Sequence, residues 1–554
     1  MSSYELKTLK LPRMTGNTLA VFANLIETKI GKLILLDSLL ENGGMPKLRS
    51  KNVNDPPTFY PSVKPSGEEL YSEGFQELIE KDWNIPFPTA FDYEKSYQAQ
   101  TSSPISIAEQ VWRNFKITNQ IDSPMNIFIA MNRDDLMRQA EEATQRLKEG
   151  RRLSPIDGVP VAIKDEIDQL PYPTTVGTSF LGKQPAKQDS TVVARLRTAG
   201  ALLVGKTNMH EIGIAPNGAN IHYGSVRNPY DLTCDPGGSS SGSAAAVASG
   251  IVPAAIGADG GGSMRIPATL CGVVALKPTF GRVSEFGAAP LDWSVAHLGP
   301  ITASVYDTAL VYSIIAGPDE KDPNSLVQPP VTVQGWNTPN VDGLRFGIYP
   351  DWNEHADPEI VLAFKEMLSK LEKRGAEIVE IDIPELDEFR IAHAVTILSE
   401  MALSMRAYKT MRKEMGESVR LSLVLGEVMT SSDYIQSQRF RTRALNTFSE
   451  IFKTVEVILS PGTAKTAQPI PVSIPTQGWS DLSTDTEYMR YVFPANLTGL
   501  PAISFPCGYD ERGIPIGMQA MSKHWNEHIL LRVAYNAEQE LDRRLPGNFY
   551  PSLI

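Results

Sequence analysis

Cysteine is scarce in this sequence, and its scarcity narrows the possible classes of protein. The chain of 554 residues contains 3 cysteines, Cys234, Cys271 and Cys507. Their odd number and wide spacing exclude a disulfide framework and a cysteine metal cluster. A reducing compartment fits such a chain, so we expect a cytoplasmic protein. Excess positive charge is also lacking, because the net charge is −12 at pH 7. This balance argues against nucleic acid or an anionic membrane surface as a partner.

Long uninterrupted hydrophobic runs are absent as well. Charged residues break the most apolar early segment, residues 19–40, whereas a membrane-spanning helix needs about 20 consecutive apolar residues. We therefore expect no transmembrane segment, and we expect no signal peptide at the start of the sequence. The apolar residues recur at threes and fours, which predicts one helix from Asn17 or Thr18 to about Gly43. We expect this helix to pack on the body of the protein, with docking to a partner or a membrane surface as the alternative.

The remaining chain divides into an arm and an alternating region. Prolines between residues 45 and 66 predict an extended segment, and residues 67–83 have a helical pattern. Residues 1–95 are therefore predicted to form an N-terminal helical and extended arm. From about residue 100, continuous apolar runs alternate with amphipathic stretches. Strands of this kind lie in a sheet buried on both faces, which predicts an α/β class for residues 96–554.

Two segments rich in glycine and serine stand out in the alternating region. The first, DPGGSSSGSAAAVASG at residues 235–250, has the composition of a linker, but its alanine-rich half favours a helix that ends at Gly250. Its serines then precede a helix, where an anion is stabilised, although the lysine of a P-loop and the pattern of a dinucleotide loop are missing. The second segment places Ser263 after three glycines. This serine is either a nucleophile beside an oxyanion hole or an incidental residue of a tight turn.

A serine nucleophile needs a base, and no histidine is recognisable in that role. None of the 7 histidines has the context of a catalytic triad, and the G-x-S-x-G elbow is absent. The alternative base is Lys164, which directly follows the apolar run VPVAI. Burial at the end of a strand favours the neutral amine, and we expect no obligatory carboxylate partner that would keep this lysine charged. Taken alone, a lysine in such a position is more often solvated or paired.

The combination of Lys164 with the GGSSS and GGGS segments resembles the amidase signature family of serine hydrolases. Further matching pieces are KTNMHE (206–211), YGSVRNPYD (223–231), GVVALKPTFGRVS (272–284), HLGPITASVYD (297–307), NLTGLPAISFPCG (496–508) and GIPIGMQAM (513–521). The resemblance covers about residues 100–545. It implies the amidase signature fold, a large twisted mixed β-sheet with helices on both faces. It also implies a variable helical region at about residues 385–452 that contributes to the substrate pocket.

The resemblance further implies that a Ser-cisSer-Lys triad hydrolyses carboxylic amides to an acid and an amine or ammonia. Ser263 would be the nucleophile that forms an acyl-enzyme, Ser239 the proton relay with a cis bond to Gly238, and Lys164 the neutral general base. The oxyanion hole would consist of the N–H groups of Gly260, Gly261, Gly262 and Ser263. The family chemistry requires no metal and no organic cofactor.

Two charged residues, Asp259 and Arg265, flank the predicted nucleophile. We interpret them as an ion pair that braces the loop, because a lone carboxylate makes a poor metal site. The sequence departs from the family at Ser241, where many members have glycine, and at Gly260, where they often have a larger or hydroxylated residue. The extra glycine is expected to loosen the oxyanion hole or to widen the acyl pocket.

Three other functions remain alternatives to an amide hydrolase. They are a glutamine amidotransferase-type subunit, which the long N-terminal arm fits poorly, an acyltransferase of the same family that forms a C–N bond, and an inactive binding protein. Aromatic residues of the arm (Phe59, Tyr60, Tyr71 and Phe75) and the methionine-rich residues 400–411 predict an apolar or aryl-tolerant pocket, unless they are ordinary core. The expected partners are a small-molecule amide and, as an open expectation, a second copy of the chain in a homodimer.

Overall fold

A mixed β-sheet of eleven strands carries the site in the computed structural model, which describes residues 4–9, 11, 13–65, 85–471 and 478–554. The strands in chain order are β1 (Met14–Thr15), β2 (Phe128–Ala130), β3 (Pro160–Lys164), β4 (Leu202–Thr207), β5 (Ala254–Ala258), β6 (Val274–Lys277), β7 (Leu298–Thr302), β8 (Arg345–Ile348), β9 (Glu377–Glu380), β10 (Val457–Pro461), β11 (Trp479–Ser480), β12 (Ala502–Tyr509) and β13 (Pro515–Ser522). Strands β1 and β11 form a separate antiparallel pair. The large sheet has the order β2-β4-β3-β5-β7-β6-β12-β13-β10-β8-β9.

Helices flank this sheet, as the α/β class predicts. They are α1 (Gly16–Ile26), α2 (Lys29–Asn42), α3 (Met45–Ser50), α4 (Ala90–Gln98), α5 (Pro104–Gln120), α6 (Arg133–Lys148), α7 (Thr191–Thr198), α8 (Ser241–Ala248), α9 (Arg265–Cys271), α10 (Val305–Ile315), α11 (Pro350–Asn353), α12 (Pro358–Lys373), α13 (Leu386–Ser404), α14 (Glu417–Glu427), α15 (Ser431–Ile451), α16 (Leu482–Met489), α17 (Phe493–Thr498) and α18 (Glu527–Glu538). Short 3₁₀ segments cover Glu211–Gly213, Pro323–Ser325 and Met405–Glu414.

The sequences of the central strands are continuous apolar runs because helices cover both faces of the sheet. Every residue of β3, β4, β5 and β6 is buried, and this pattern is typical of strands between two layers of helices. Strand β3 pairs in parallel with β4 and β5, whereas β7, β6, β12 and β13 pair antiparallel with their neighbours. The predicted mixed sheet is therefore confirmed.

The N-terminal prediction of a single helix is wrong. The first helix, α1, ends at Ile26, and a second helix, α2, begins at Lys29. The Thr28 side chain caps α2 by accepting a hydrogen bond from the Gly31 N–H. A Cβ on Gly31 would lie 1.8 Å from the Leu25 carbonyl oxygen, so this tight turn requires glycine. Residues 45–50, predicted to be extended, form α3 instead. The helix predicted at residues 67–83 lies outside the described residues.

The predicted burial of the early apolar face is only partly correct. Leu19 and Ile26 are buried, but Ile30 is 69% exposed and Leu33 is 79% exposed. Helix α1 packs against α14, and α3 packs against α13 and α15. Within the described part of the chain, no helix combines the length and the apolar character needed to cross a bilayer.

Candidate active site

Lys164 is the last residue of β3 and points into the buried centre of the site. Its side chain is 1% exposed. The ammonium group donates to Ser239 Oγ at 2.8 Å and to the Ala258 carbonyl oxygen at 3.3 Å. Lys164 Nζ also lies 3.1 Å from Glu166 Oε2. The strand thus places the amine within hydrogen-bond reach of one of the two predicted serines.

The contact with Glu166 corrects one expectation from the sequence. We expected Lys164 to have no carboxylate partner, but the chain turns directly after β3 and returns Glu166 to the lysine. The preceding acid, Asp165, is bound elsewhere: it accepts hydrogen bonds from the Thr175 side chain and the Gly177 N–H and lies 3.7 Å from Lys206 Nζ. The sequence did not reveal that these two adjacent acids contact different lysines.

Ser239 lies in the loop before α8, and its peptide bond to Gly238 is cis, as the family resemblance implies. Gly238 is required by a close approach, because a Cβ there would lie 2.2 Å from the Asn217 carbonyl oxygen. The next residue links the two predicted loops, since the Ser240 N–H donates to the Ser263 carbonyl oxygen at 3.0 Å. Helix α8 then begins at Ser241.

Ser263 follows β5 and the three glycines and lines the same cavity as Lys164 and Ser239. The structure therefore brings together the three residues predicted for catalysis. Among the described residues, the Ser263 hydroxyl has no hydrogen-bond partner, whereas the Ser239 hydroxyl accepts from Lys164. The residue that would attack a substrate thus lines the cavity with its hydroxyl unbonded among the described residues.

The predicted oxyanion hole is only partly available in this structure. The Gly262 N–H donates to Asp259 Oδ1 at 2.7 Å, so it is engaged within the loop. The N–H groups of Gly260, Gly261 and Ser263 have no acceptor among the described residues. These three donors, rather than four, are free to face an oxyanion.

Asp259 and Arg265 form the predicted ion pair, and both side chains are completely buried. Arg265 Nε lies 2.9 Å from Asp259 Oδ2, and Nη2 lies 3.0 Å from Oδ1. Burial alone would raise the pKa of Asp259, but the Arg265 guanidinium outweighs it and holds this pKa well below its usual range. Asn496 Nδ2 donates to the same carboxylate at 2.9 Å, and Arg265 Nη1 donates to Gln519 Oε1 at 2.6 Å. The sequence motifs at 496–508 and 513–521 contained these two residues without revealing their role.

His393, on α13, is a further residue that the sequence did not single out. Its Nε2–H donates to the Gly260 carbonyl oxygen at 2.8 Å. Burial lowers the pKa of His393 to about 4, so the ring is neutral at physiological pH. This histidine supports the glycine loop through a backbone contact and does not touch the predicted serines' hydroxyls.

Asp292 fills the space that the glycine at position 260 leaves. A Cβ on Gly260 would lie 1.7 Å from Asp292 Oδ2. Burial, followed by the nearby carboxylates Glu166 and Glu400, raises the pKa of Asp292 to about 8. The extra glycine therefore does not widen the pocket as expected, because a carboxyl group from another loop occupies the place of its side chain.

An apolar wall completes the cavity beside these polar groups. Ile212, Ile397 and Met401 line it. Behind them lies a cluster of buried apolar residues that includes Met209, Met401, Met405 and Met415. Of the aromatic residues predicted for the pocket, Phe59 is 45% exposed and stacks on Tyr434, and Tyr71 and Phe75 lie outside the described residues.

Among the described residues, no group of three or more His, Cys, Asp and Glu side chains is arranged to hold a metal ion. The three cysteines are buried, and none of them forms a disulfide bond. Burial raises the pKa of the Cys271 thiol well above its usual value. Cys271 is the last residue of α9, and its side chain belongs to the main hydrophobic core.

Comparison with known proteins places this geometry in context. A family model described as Amidase matches residues 113–531. The fatty acid amide hydrolase of Arabidopsis thaliana is 35% identical over an alignment that covers 99% of this chain and 96% of that protein. A glutamyl-tRNA(Gln) amidotransferase subunit of Prochlorococcus marinus (strain MIT 9211) is 33% identical, and its alignment covers 80% of this chain and 95% of that protein.

A solved structure is similar in fold. The native peptide amidase of Stenotrophomonas maltophilia superposes with a TM-score of 0.69 and 26% identity, over 83% of this chain and 98% of that chain.

Proposed function

Because the chain belongs to the amidase family, and is accordingly a hydrolase of amide C–N bonds, we propose that it cleaves its substrate through an acyl-enzyme on Ser263. The observation that carries this proposal is the 2.8 Å hydrogen bond between Lys164 Nζ and Ser239 Oγ. It lies in a buried cavity that Ser263 also lines. A lysine, a relay serine and a second serine with a free hydroxyl are the parts that nucleophilic catalysis without histidine requires.

The reaction begins when Ser263 Oγ attacks the amide carbonyl carbon. The serine proton passes to Ser239, and the Ser239 proton passes to neutral Lys164. One C–O bond forms as the carbonyl π bond breaks, and the positive charge gained by Lys164 balances the negative charge of the oxyanion. The oxyanion that develops is stabilised by the N–H groups of Gly260, Gly261 and Ser263. Loss of one such donor typically costs about 3–4 kcal/mol in the transition state.

Collapse of this intermediate breaks the C–N bond. Ser239 hands a proton to the leaving nitrogen and is reprotonated by Lys164, because an amine leaves poorly without a proton. Water then attacks the acyl-enzyme, and the same relay accepts its proton and returns one to Ser263. The products are a carboxylic acid and an amine or ammonia.

We infer that the acyl group is apolar. The cavity wall of Ile212, Ile397 and Met401 and the methionine cluster behind it support this inference, because flexible methionine side chains adapt to apolar ligands of varied shape. The alignment with fatty acid amide hydrolases includes the N-terminal arm, since it covers 99% of this chain, whereas the alignment with the amidotransferase subunit covers 80%. Long-chain acyl amides are therefore the substrate class that we favour over glutamine.

Labelling with a serine-directed fluorophosphonate, followed by peptide mapping, tests the nucleophile. We expect one adduct, on Ser263, and no adduct in Ser263→Ala. Lys164→Ala should abolish labelling while the fold remains intact by circular dichroism. Labelling of another serine, or unchanged labelling of Lys164→Ala, would contradict the proposed triad.

A series of primary amides and N-alkyl amides with acyl chains of increasing length tests the substrate class. We expect kcat/KM to rise with chain length, since about 0.8 kcal/mol is gained for each buried methylene group. Glutamine with ammonia detection serves as the control for the amidotransferase-type alternative, and added amine acceptors test acyl transfer. A preference for glutamine or for short polar amides would contradict an apolar acyl pocket.

We propose a cytoplasmic location, which the three unpaired and buried cysteines support. Fractionation of cells that express a tagged full-length chain tests this location. A homodimer also remains a prediction, and sedimentation velocity of the full-length chain at several concentrations decides it.

A further inference from the structure

The turn after β3 brings a carboxylate to the predicted general base. Glu166 Oε2 lies 3.1 Å from Lys164 Nζ. The backbone of Glu166 is fixed, because its carbonyl oxygen accepts from the Ala289 N–H at 2.9 Å. Gly213 lies next to both this carboxylate and the relay serine, since a Cβ there would lie 3.3 Å from Ser239 Oγ and 3.6 Å from Glu166 Oε2.

The three acceptors around Lys164 match the three donors of an ammonium group. They are Ser239 Oγ, the Ala258 carbonyl oxygen and Glu166 Oε2. A neutral amine can make the same three contacts in another way, because its two N–H groups can donate to the Ala258 carbonyl oxygen and Glu166 Oε2 while its lone pair accepts from the Ser239 hydroxyl. A charged lysine must lose a proton before it accepts one from Ser239.

Other titratable groups face the same lysine. Asp292 and Asp259 line its cavity. Asp259 is already bound to Arg265, and the pKa of Asp292 is raised to about 8, first by burial. His210 lies nearby, and its pKa is lowered to about 4 by burial, with Lys164 adding to the shift. Among the described residues, Glu166 is therefore the carboxylate in direct contact with the amine.

We propose that Glu166 is a positioning residue that anchors Lys164 and sets the pH range in which the enzyme is active. The inference rests on the proposed function, because it takes Lys164 to be the base. The proton that leaves Lys164 moves to solvent or to Glu166 Oε2. When it moves to Glu166, the charged pair becomes a neutral amine and a carboxylic acid, and no proton is gained or lost.

The direction of the pH effect follows from the charge. The acid limb of kcat/KM reports protonation of the base in the free enzyme. A carboxylate at 3.1 Å stabilises the ammonium form, so its removal lets the base become active at lower pH. Removal of this opposite charge should therefore move the acid limb of Glu166→Gln to lower pH.

The pH profile separates this role from a purely structural one. Glu166→Gln should move the acid limb of kcat/KM to lower pH. It should also lower the plateau of kcat by up to about 100-fold, because the lysine loses its anchor. KM should change little, since Glu166 contacts the lysine. A structural role would lower the rate without moving the limb.

Asp292→Asn is the matched control, since it removes a second carboxyl group from the same cavity. Its acid limb should move less than that of Glu166→Gln. Glu166→Ala provides an independent variant if Glu166→Gln fails to fold. Added formate should return its acid limb toward that of the wild-type enzyme.

Three results overturn the inference. They are an unmoved limb in folded Glu166→Gln, an unmoved limb in folded Glu166→Ala, and an equal or larger shift in Asp292→Asn. Lys164→Ala and Ser263→Ala distinguish this failure from failure of the triad. If both are inactive and the limb is unmoved, only the role of Glu166 is wrong. If Lys164→Ala keeps its activity, the proposed function is wrong.

Discussion

Two pairs of oppositely charged residues, Asp259 with Arg265 and Glu166 with Lys164, lie at the site, and they differ in how many hydrogen bonds satisfy each carboxylate. Asp259 and Arg265 are both completely buried, and the guanidinium binds the carboxylate through two nitrogen atoms. Glu166 and Lys164 share one contact of 3.1 Å, and the Glu166 side chain is 10% exposed to the cavity. The first pair also has the Asn496 amide as a partner of the carboxylate.

The difference shows how similar chemistry serves two purposes. A pair with every lone pair and donor satisfied has one stable protonation state, so it can hold the nucleophile loop in place. A pair with a single contact at the edge of a cavity keeps access to a second protonation state, which a general base needs. In the proposed mechanism, bracing and proton transfer therefore belong to different pairs within one site.

Breaking the buried pair should have the largest effect on stability. Arg265→Met leaves Asp259 as an unpaired buried charge, and we expect it to lower the free energy of unfolding by about 3–5 kcal/mol. Activity should be lost as well, because the Gly262 N–H is held by the same carboxylate. Chemical denaturation followed by circular dichroism measures the change.

Arg138→Met is the control for that experiment. Arg138 forms exposed pairs with Asp135 and Glu142 on α6, and such pairs contribute at most about 1 kcal/mol. If Arg265→Met were as stable as Arg138→Met, the buried pair would not brace the loop.

The next largest expected effect is a loss of activity when a methyl group is added at Gly260. In Gly260→Ala the new Cβ would overlap Asp292 Oδ2, which lies 1.7 Å from its position. Displacement of the oxyanion donors should lower kcat/KM by about 100-fold or more, for short and long acyl groups alike. Steady-state kinetics with two acyl chain lengths measures this loss.

The double variant Gly260→Ala/Asp292→Ala tests the cause. It removes the group that the methyl meets, so it should recover part of the lost activity, because residues in contact are energetically coupled. If the two losses simply added, the overlap with Asp292 would not explain the effect of the methyl group.

A smaller effect is expected on the pH dependence of stability. The pKa of Asp292 is raised to about 8, first by burial, so the native state keeps a proton that the unfolded chain loses above about pH 4. The native state binds more protons in this window, and the contribution of Asp292 to stability therefore falls as pH rises from about 4 to 8. In Asp292→Asn, denaturation midpoints should depend less steeply on pH in this range.

Other buried acids contribute to the same dependence of stability on pH. Burial raises the pKa of Asp235 to about 7 and those of Asp307 and Asp485 to about 8. Asp292→Asn thus removes only one contribution to the pH dependence of stability. Asp134→Asn, at an exposed position on α6, should leave the slope as it is in the wild-type chain. An equal slope in wild type and Asp292→Asn would show that this carboxyl ionises in the native state as it does in the unfolded chain.

Much of the fold was predictable, because its signals are local. The run VPVAI corresponds to β3, and the alanine-rich segment that precedes Gly250 is α8. The N-terminal region was less predictable, since the break between α1 and α2 depends on a cap by Thr28 and on the close approach of Gly31 to Leu25. A periodic pattern of apolar residues does not reveal such a break.

The sequence by itself determined which groups are available for the chemistry: a lysine after a buried strand, serines before an alanine-rich helix, and a serine after three glycines. These features are local, because strand ends and glycine turns are set by neighbouring residues. Only the tertiary structure decided which groups surround them. Asn496 reaches Asp259 across 237 residues of sequence, and His393 reaches Gly260 across 133. It also decided that Glu166, and not Asp165, faces Lys164. Such contacts depend on how the turn, the loops and the helices pack over the sheet, and no short stretch of sequence contains that information.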